Sequence, residues 1–219
     1  MDLTLFFKEK HIALVGPSQS IMQSLQGDLI EQHDYVVRLN HQWPFDAQLE
    51  PHLGRRMDIL YHCCSADYSM LRFAVPDFQK TKLVLYETGI QSAILQLLCK
   101  QNHTPCVDIT QNYHNLTEKL TSAPNTGLVA ITHLLSYPIA SLSLFGLSFY
   151  REPYYSGYLG VGADSKYWQK EHPPRQIRTH RLDVQFNYVV QHLLTDPRLK
   201  LDDAIQQKML ESTPSWAYD

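Results

Sequence analysis

Five short apolar runs decide what this chain can fold into: Ile12–Val15, Tyr35–Leu39, Met57–Tyr61, Lys82–Tyr86 and Ser141–Phe145, with a weaker sixth near Pro105–Ile109. Runs such as "KLVLY" and "LSLFG" are apolar at nearly every position, as in strands covered on both faces. Stretches with helical spacing lie between and after them. Ile21, Leu25, Leu29 and Ile30 suit a helix that Gly27 must break or cap, and Gly89–Gln101 carries Ile90, Ile94, Leu95, Leu97 and Leu98 on a wide face. Thr126–Leu135 follows a Pro-Asn start, and Leu182–Leu194 and Asp202–Leu210 read as later helices. Strands alternating with helices predict an α/β, Rossmann-like αβα sandwich with a mostly parallel sheet. A chain of 219 residues fits a single domain over 1–219. The aromatic "YREPYYSGY" and the polar stretch after it predict a long loop around 150–178, near the mouth of a site.

Composition excludes several classes. A net charge of −3 gives no general attraction to nucleic acid. No apolar run reaches the roughly 20 residues of a membrane span, and the start, Met1 to Lys8, is too short and acidic for a secretory signal. The expectation is a cytoplasmic protein of bacterial or viral type, with peripheral association to an inner membrane left open. Cys63, Cys64, Cys99 and Cys106 show no Cys-x-x-Cys spacing, and adjacent cysteines rarely bond each other, so free thiols are expected. The eleven histidines lack His-x-x-x-His or His-Glu-x-x-His spacing, and no metal is expected.

In an open parallel sheet, ligands sit beyond the carboxyl ends of the strands. Three polar features fall there: Gly16-Pro17-Ser18 after the first strand, Arg38 and Asn40 at the end of the second, and Asn125-Thr126-Gly127 opening an apolar helix. The first is neither of the common phosphate-loop signatures, Gly-x-Gly-x-x-Gly or Gly-x4-Gly-Lys-Ser/Thr. The last has a capping residue and free helix N–H groups that favour an anion. An ordinary cap, a salt-bridged arginine and a plain strand-to-helix turn are the structural alternatives. His180 stands just before a helix, where the dipole would keep an imidazole neutral and fit to act as a base; the alternative is a histidine that simply starts a surface helix.

Taken together, these segments resemble the sialyltransferases of glycosyltransferase family 29. The family's long motif, "VGNSG…G…ID.HD.V.R.N", is similar to "LVGPSQSIMQSLQGDLIEQHDYVVRLN", with Gly16, Ser18, Gly27, Ile30, Asp34, Arg38 and Asn40 at matching places. "HLGRRMDILYH" looks like its "DVGSRT" continuation. The small motif, "PSTGLLAI…YGF", is similar to "PNTGLVAITHLLSYPIASLSLFGLSFY". Lys166-Tyr167-Trp168-Gln169 stands for the third motif, "HYYE" or "HYWE", and His180 with Gln185 for the very small motif, His-x4-Glu.

The resemblance implies a single-domain, GT-A-like variant of the α/β fold. It also implies an inverting, metal-independent, cofactor-free transfer of a 3-deoxy-2-ulosonic acid from a CMP-sugar to a hydroxyl of a glycan, glycolipid or polysaccharide acceptor. Sialic acid is preferred over Kdo as the sugar. Gly16, Pro17, Ser18, Arg38, Asn40, Asn125, Thr126, Gly127, Ser148 and Tyr167 would line the donor site. His180 would be the base, and Lys166 would hold the leaving phosphate. Arg38, Lys166, Tyr154, Tyr155 and Tyr158 are candidates for the sugar carboxylate.

Four departures stand out: Pro17 for Asn, Asn125 for Ser, Lys166 for His and Gln185 for Glu. The cysteine pair of the animal enzymes is absent, with Ile12 and Pro138 at about those places. The departures motivate an alternative, a CMP- or glycan-binding module that kept the fold without catalysis. A Rossmann-type enzyme using another nucleotide is a third option.

Overall fold

A computed structural model describes residues 1–40, 42, 46–65, 70–149, 151–152, 154–155, 158 and 180–210. Seven strands form one sheet: β1 (His11–Val15), β2 (Tyr35–Leu39), β3 (Ile59–His62), β4 (Leu83–Tyr86), β5 (Cys106–Asp108), β6 (Ser141–Phe145) and β7 (Leu199–Leu201). The order is β5-β4-β3-β2-β1-β6-β7, and every pairing is parallel. The chain therefore walks outward from β1 to β5, then returns to place β6 on the other side of β1. The carboxyl ends of β1 and β6 flank the switch point where such sheets open a crevice.

The helices are α1 (Leu3–Phe7), α2 (Gly27–Glu31), α3 (Glu50–Leu53), α4 (Ser92–Gln101), α5 (Thr110–Leu120), α6 (Thr126–Leu135), α7 (Leu182–Tyr188) and α8 (Asp203–Leu210). α7 runs on into a π-helical turn, Val189–Leu193. Alternation along the strands sorts the core. Leu14, Val37, Leu39, Tyr61, Leu85 and Leu144 face the layer of α5, α6 and the π turn, and are buried with Leu116, Leu128, Ile131 and Val189. On the opposite face, Ala13, Val15 and Val36 pack with Ile21, Ile30, Leu53, Tyr155 and Tyr158. Leu60 and Val84 pack there with Phe73, Phe78, Leu95 and Cys99. Each buried Leu or Phe adds roughly 1.5–3 kcal/mol of transfer free energy, which fixes the register, since a slip by one residue would turn the strand inside out.

Two expectations change. The helix read after the first turn is split into a 3-10 turn, Gln19–Gln23, and α2. Leu25 and Leu29 are exposed rather than part of a core face. Gly27 lies so close to α3 that a Cβ there would stand 2.2 Å from the Glu50 carbonyl oxygen. The split lets α2 lean on α3 where one longer helix could not. The α5 helix and the short β7 strand carry no strong apolar pattern of their own and emerge only from packing.

Gly16 and Gly146 cross at the switch point. A Cβ on Gly16 would lie 2.4 Å from the Gly146 carbonyl oxygen, and Gly146 itself has φ +59°. Gly16→Ala should therefore destabilise the fold by about 1–3 kcal/mol, the usual cost of overpacking. Denaturant unfolding checks this, and an unchanged midpoint would mean that the crossing relaxes freely.

Among the described residues no helix is long and apolar enough to cross a membrane. All four cysteines are free thiols.

Candidate active site

Among the described residues, the polar residues singled out in the sequence converge, with Arg38 as the exception, on the carboxyl ends of the strands and the start of α6. After β1 the chain makes the Gly16-Pro17-Ser18 turn, and after β6 it makes Gly146-Leu147-Ser148. The two turns are laced together. The Gly16 N–H donates to the Phe145 carbonyl (2.7 Å) and the Ser18 N–H to the Gly146 carbonyl (2.9 Å). The Ser18 hydroxyl donates to Ser148 Oγ (2.8 Å) and accepts from the Ser148 N–H (2.9 Å). Gln42 Nε2 donates to the Gly16 carbonyl at 2.7 Å.

Glu152, Tyr154 and Tyr155, beyond β6, meet this turn. Tyr155 N–H donates to the Pro17 carbonyl at 2.8 Å, Tyr154 bridges Ser18 in antiparallel fashion, and Glu152 accepts from the Ser20 hydroxyl. Pro17 has no N–H, so the backbone donors at Gly16 and Ser18 are all spent within the protein. The turn is thus a braced wall, not a phosphate cradle of the P-loop kind. Tyr155 and Tyr158 are buried against Val15, Ile21 and Phe145, which makes them packing residues of this wall.

The donors available to an anion lie instead at the start of α6. Asn125 is its N-cap, with Oδ1 accepting from the Leu128 N–H at 2.9 Å. Among the described residues, the N–H groups of Thr126 and Gly127 take no protein acceptor, as expected of a first helical turn. With the helix dipole behind them they favour a negative group. Asn40, at φ +46° beyond β2, aims its side chain here: Nδ2 donates to Thr126 Oγ1 (3.2 Å) and Oδ1 accepts from the Cys63 N–H (3.0 Å).

His180 and Gln185 join the same turn from the other side. The Gln185 side chain is only 2 % exposed and is fully engaged. Its Oε1 accepts from Asn125 N (3.0 Å) and Nδ2 (2.8 Å), and its Nε2 donates to the Ala123 carbonyl (3.1 Å) and to the His180 carbonyl. His180 Nδ1 lies 3.0 Å from the same Ala123 carbonyl. A carbonyl oxygen can only accept, so Nδ1 carries the proton and the neutral ring holds its lone pair on Nε2. Burial pushes the imidazole below its ordinary pKa, against a smaller upward pull from the Ala123 carbonyl. The sequence assigned that role to a helix dipole; desolvation is the cause the structure supplies.

Arg38 is the exception. Its side chain is fully buried on the opposite face of β2, with Nε donating to the Arg56 carbonyl (2.9 Å) and Nη2 to the Leu53 carbonyl (2.7 Å). Burial lowers its pKa to about 10, which still leaves it charged at neutral pH. It ties α3 to the sheet and lies away from the α6 turn, so its expected place in the donor site is corrected to a structural one. Lys166 and Tyr167 lie outside the described residues. Among the described residues, no group of three or more His, Cys, Asp or Glu is placed to hold a metal.

Solved structures supply the comparison. A mammalian sialyltransferase in complex with Gal-beta-1-3GalNAc-ortho-nitrophenol superposes with a TM-score of 0.56 at 15% identity, covering 88% of this chain and 69% of that one. The fold is shared with sialyltransferases. The sialyltransferase CstII from Campylobacter jejuni, in complex with cytidine-5'-monophosphate, superposes with a TM-score of 0.55 at 12% identity, over 89% of this chain and 79% of that one. No protein-family model and no curated protein matches the sequence. The fold of the sialyltransferases is therefore visible in the backbone.

Two residues of the site were missed in the sequence. Cys63 N–H holds Asn40 Oδ1 while Asn40 Nδ2 reaches Thr126, and Glu87 is buried just beyond β4. Neither belongs to a motif. Their one signal is position, since each directly follows a strand.

Proposed function

We propose that the protein is an inverting glycosyltransferase that moves a 3-deoxy-2-ulosonic acid from its CMP-activated donor to a hydroxyl of a glycan acceptor. Sialic acid is preferred to Kdo. One observation carries the proposal: a neutral, oriented histidine and the open amides of a helix start are tied to a single turn, Ala123–Gly127, at the crevice of a sialyltransferase fold.

The chemistry follows from that placement. The phosphate of CMP would sit on the N–H groups of Thr126 and Gly127, flanked by Asn40 and Thr126 Oγ1. His180 Nε2 would take the proton of the acceptor hydroxyl. The freed oxygen bonds to C2 of the sugar while the bond from C2 to the phosphate oxygen breaks, and CMP leaves with that electron pair. Attack opposite the leaving group inverts the anomeric centre. Negative charge grows on the departing phosphate, where the dipole of α6 meets it, so the helix start binds the transition state better than the ground state. A single phosphate carries less charge than a diphosphate, which suits a site built from amides and hydroxyls. Lys166, from the third motif, would add a point charge.

The first test is binding. CMP at about 100 times its Kd should stabilise the fold by roughly 2.7 kcal/mol, a rise in Tm of about 5–10 °C for a chain of this size. UMP and AMP should do much less. Release of CMP from CMP-N-acetylneuraminic acid or CMP-Kdo then tests turnover. No shift with CMP would remove the proposal. A shift without turnover of either donor would leave a binding module in its place.

A further inference from the structure

A second polar row crosses the same end of the sheet. Asn40, Cys63 and Glu87 are the first residues beyond β2, β3 and β4. The rows are pinned: Cys63 N–H donates to Asn40 Oδ1 (3.0 Å), and Glu87 N–H donates to the His62 carbonyl (3.0 Å). Strand alternation places Glu87 on the same face as Leu85, the face of α5 and α6. There its carboxyl is near Cys63 and Tyr113 of α5, both of which a charge on it would push up.

Glu87 is unusual in what it lacks. It is 9 % exposed, yet its carboxyl makes no hydrogen bond among the described residues. A buried carboxyl without a partner is costly. The protein lowers that cost by keeping the group neutral, since burial alone pushes its pKa up to about 8. A neutral carboxyl offers one O–H donor and one carbonyl acceptor, a fork that suits two neighbouring sugar hydroxyls. It also suits an anionic ligand, because an ionised carboxylate would repel both the phosphate and the carboxylate of a CMP-ulosonate.

We propose that Glu87 is a specificity-determining contact for the donor sugar, its carboxyl meeting hydroxyls of the ulosonate while the phosphate rests on the start of α6. This rests on the CMP-sugar reading above and extends it. The order along the crevice is then the switch-point wall at β1 and β6, the phosphate at Thr126 and Gly127, and the sugar toward β3 and β4. Burial pushes the Cys63 and Cys64 thiols and the Tyr113 phenol up, and His62, whose Nδ1 accepts from the Cys64 N–H at 2.9 Å, lies on the opposite face.

The experiment is calorimetric titration without acceptor, comparing CMP with CMP-N-acetylneuraminic acid and CMP-Kdo at pH 7 and pH 9. It uses the wild type, Glu87→Gln and Glu87→Ala, with released CMP measured alongside. With Glu87 titrating at about 8, its neutral fraction falls about tenfold over that range. Wild-type affinity for the preferred CMP-sugar should fall about tenfold with it, while affinity for CMP stays within about twofold. Glu87→Gln should bind the CMP-sugar without that pH dependence, and Glu87→Ala should bind it about tenfold more weakly at pH 7. Three results overturn the inference. Equal losses for CMP and CMP-sugar in Glu87→Ala would mark a structural residue. Wild-type affinity for the CMP-sugar in Glu87→Ala, with an effect confined to transfer onto an acceptor or none at all, would remove the donor contact. Failure of the wild type to bind CMP would remove the CMP-sugar reading and the contact together.

Discussion

Replacing His180 by alanine should cut sugar transfer by about 10²–10⁴-fold, the usual contribution of a positioned general base, while CMP binding changes little. The two effects separate because His180 and the phosphate site share the Ala123–Gly127 turn without sharing atoms. His180 uses the Ala123 carbonyl through Nδ1. The phosphate would use the N–H groups of Thr126 and Gly127, which do not touch the imidazole. Loss of the ring removes the proton acceptor and leaves the helix start, capped by Asn125, in place.

The pH profile gives a second readout. Burial holds the His180 pKa below its ordinary 6.5, so the ring is a neutral base throughout the neutral range. Transfer should be flat near pH 7 and fall only as the pH drops below the ordinary histidine range and the ring protonates. A His180→Ala protein that still transfers at the wild-type rate would sink the role given to Nε2. Equal losses of CMP binding and transfer would point to a collapsed turn instead.

The parts of this site that the sequence shows are those whose chemistry repeats at fixed spacing. Gly16, Ser18 and Asn40 follow apolar strands, and Asn125-Thr126-Gly127 opens an apolar helix, so both are readable as strand-end and cap signals. Burial is not readable in the same way. Arg38 sits in the same motif as Asn40, two residues away, and strand alternation would put both on one face; only the left-handed turn at Asn40 (φ +46°), just beyond β2, separates a core arginine held by the Leu53 and Arg56 carbonyls from a crevice asparagine. Pro17 stands where the motif has Asn, and the resemblance puts it in the donor site. Its carbonyl in fact anchors the Tyr155 backbone, a long-range contact that no local pattern announces. The split between the 3-10 turn and α2 has a similar origin, because the Gly27 approach to Glu50 is tertiary. α5 was hidden for the opposite reason: its polar run buries only Leu116 and Leu120, too few apolar positions to stand out from a loop.

Gln185 is the residue whose replacement should show most clearly how the turn is held. Its amide faces two N–H groups on one side and two carbonyls on the other. Only a group that is neutral, with one accepting and one donating end, satisfies all four. Glutamate, the residue of the motif this segment resembles, would approach that pattern only when protonated, and even then its single O–H could donate to only one of the two carbonyls. Gln185→Glu should therefore be a pH-dependent change in stability.

Ionised, its second oxygen would meet the Ala123 and His180 carbonyls at a site only 2 % exposed. Burial and those carbonyls favour the neutral acid, and outweigh the two N–H groups of Asn125. The folded-state pKa is thus raised above the unfolded value of about 4.3. A raised acid pKa means that the folded state binds the proton more tightly, so stability is full below about pH 4.3 and is lost as pH rises toward the folded-state pKa. Relative to wild type, Gln185→Glu should be less stable by about 1 kcal/mol at pH 4–5, where one carbonyl has lost its donor, and by about 2–3 kcal/mol at pH 8. Gln185→Leu, which abandons all four hydrogen bonds, should cost about 2–4 kcal/mol at both pH values. Urea unfolding of the three proteins at pH 5 and pH 8 decides the matter. A Gln185→Glu difference that does not depend on pH would show that the Ala123 and His180 carbonyls turn away from the new side chain, and His180 would then lose the fixed acceptor that sets its tautomer.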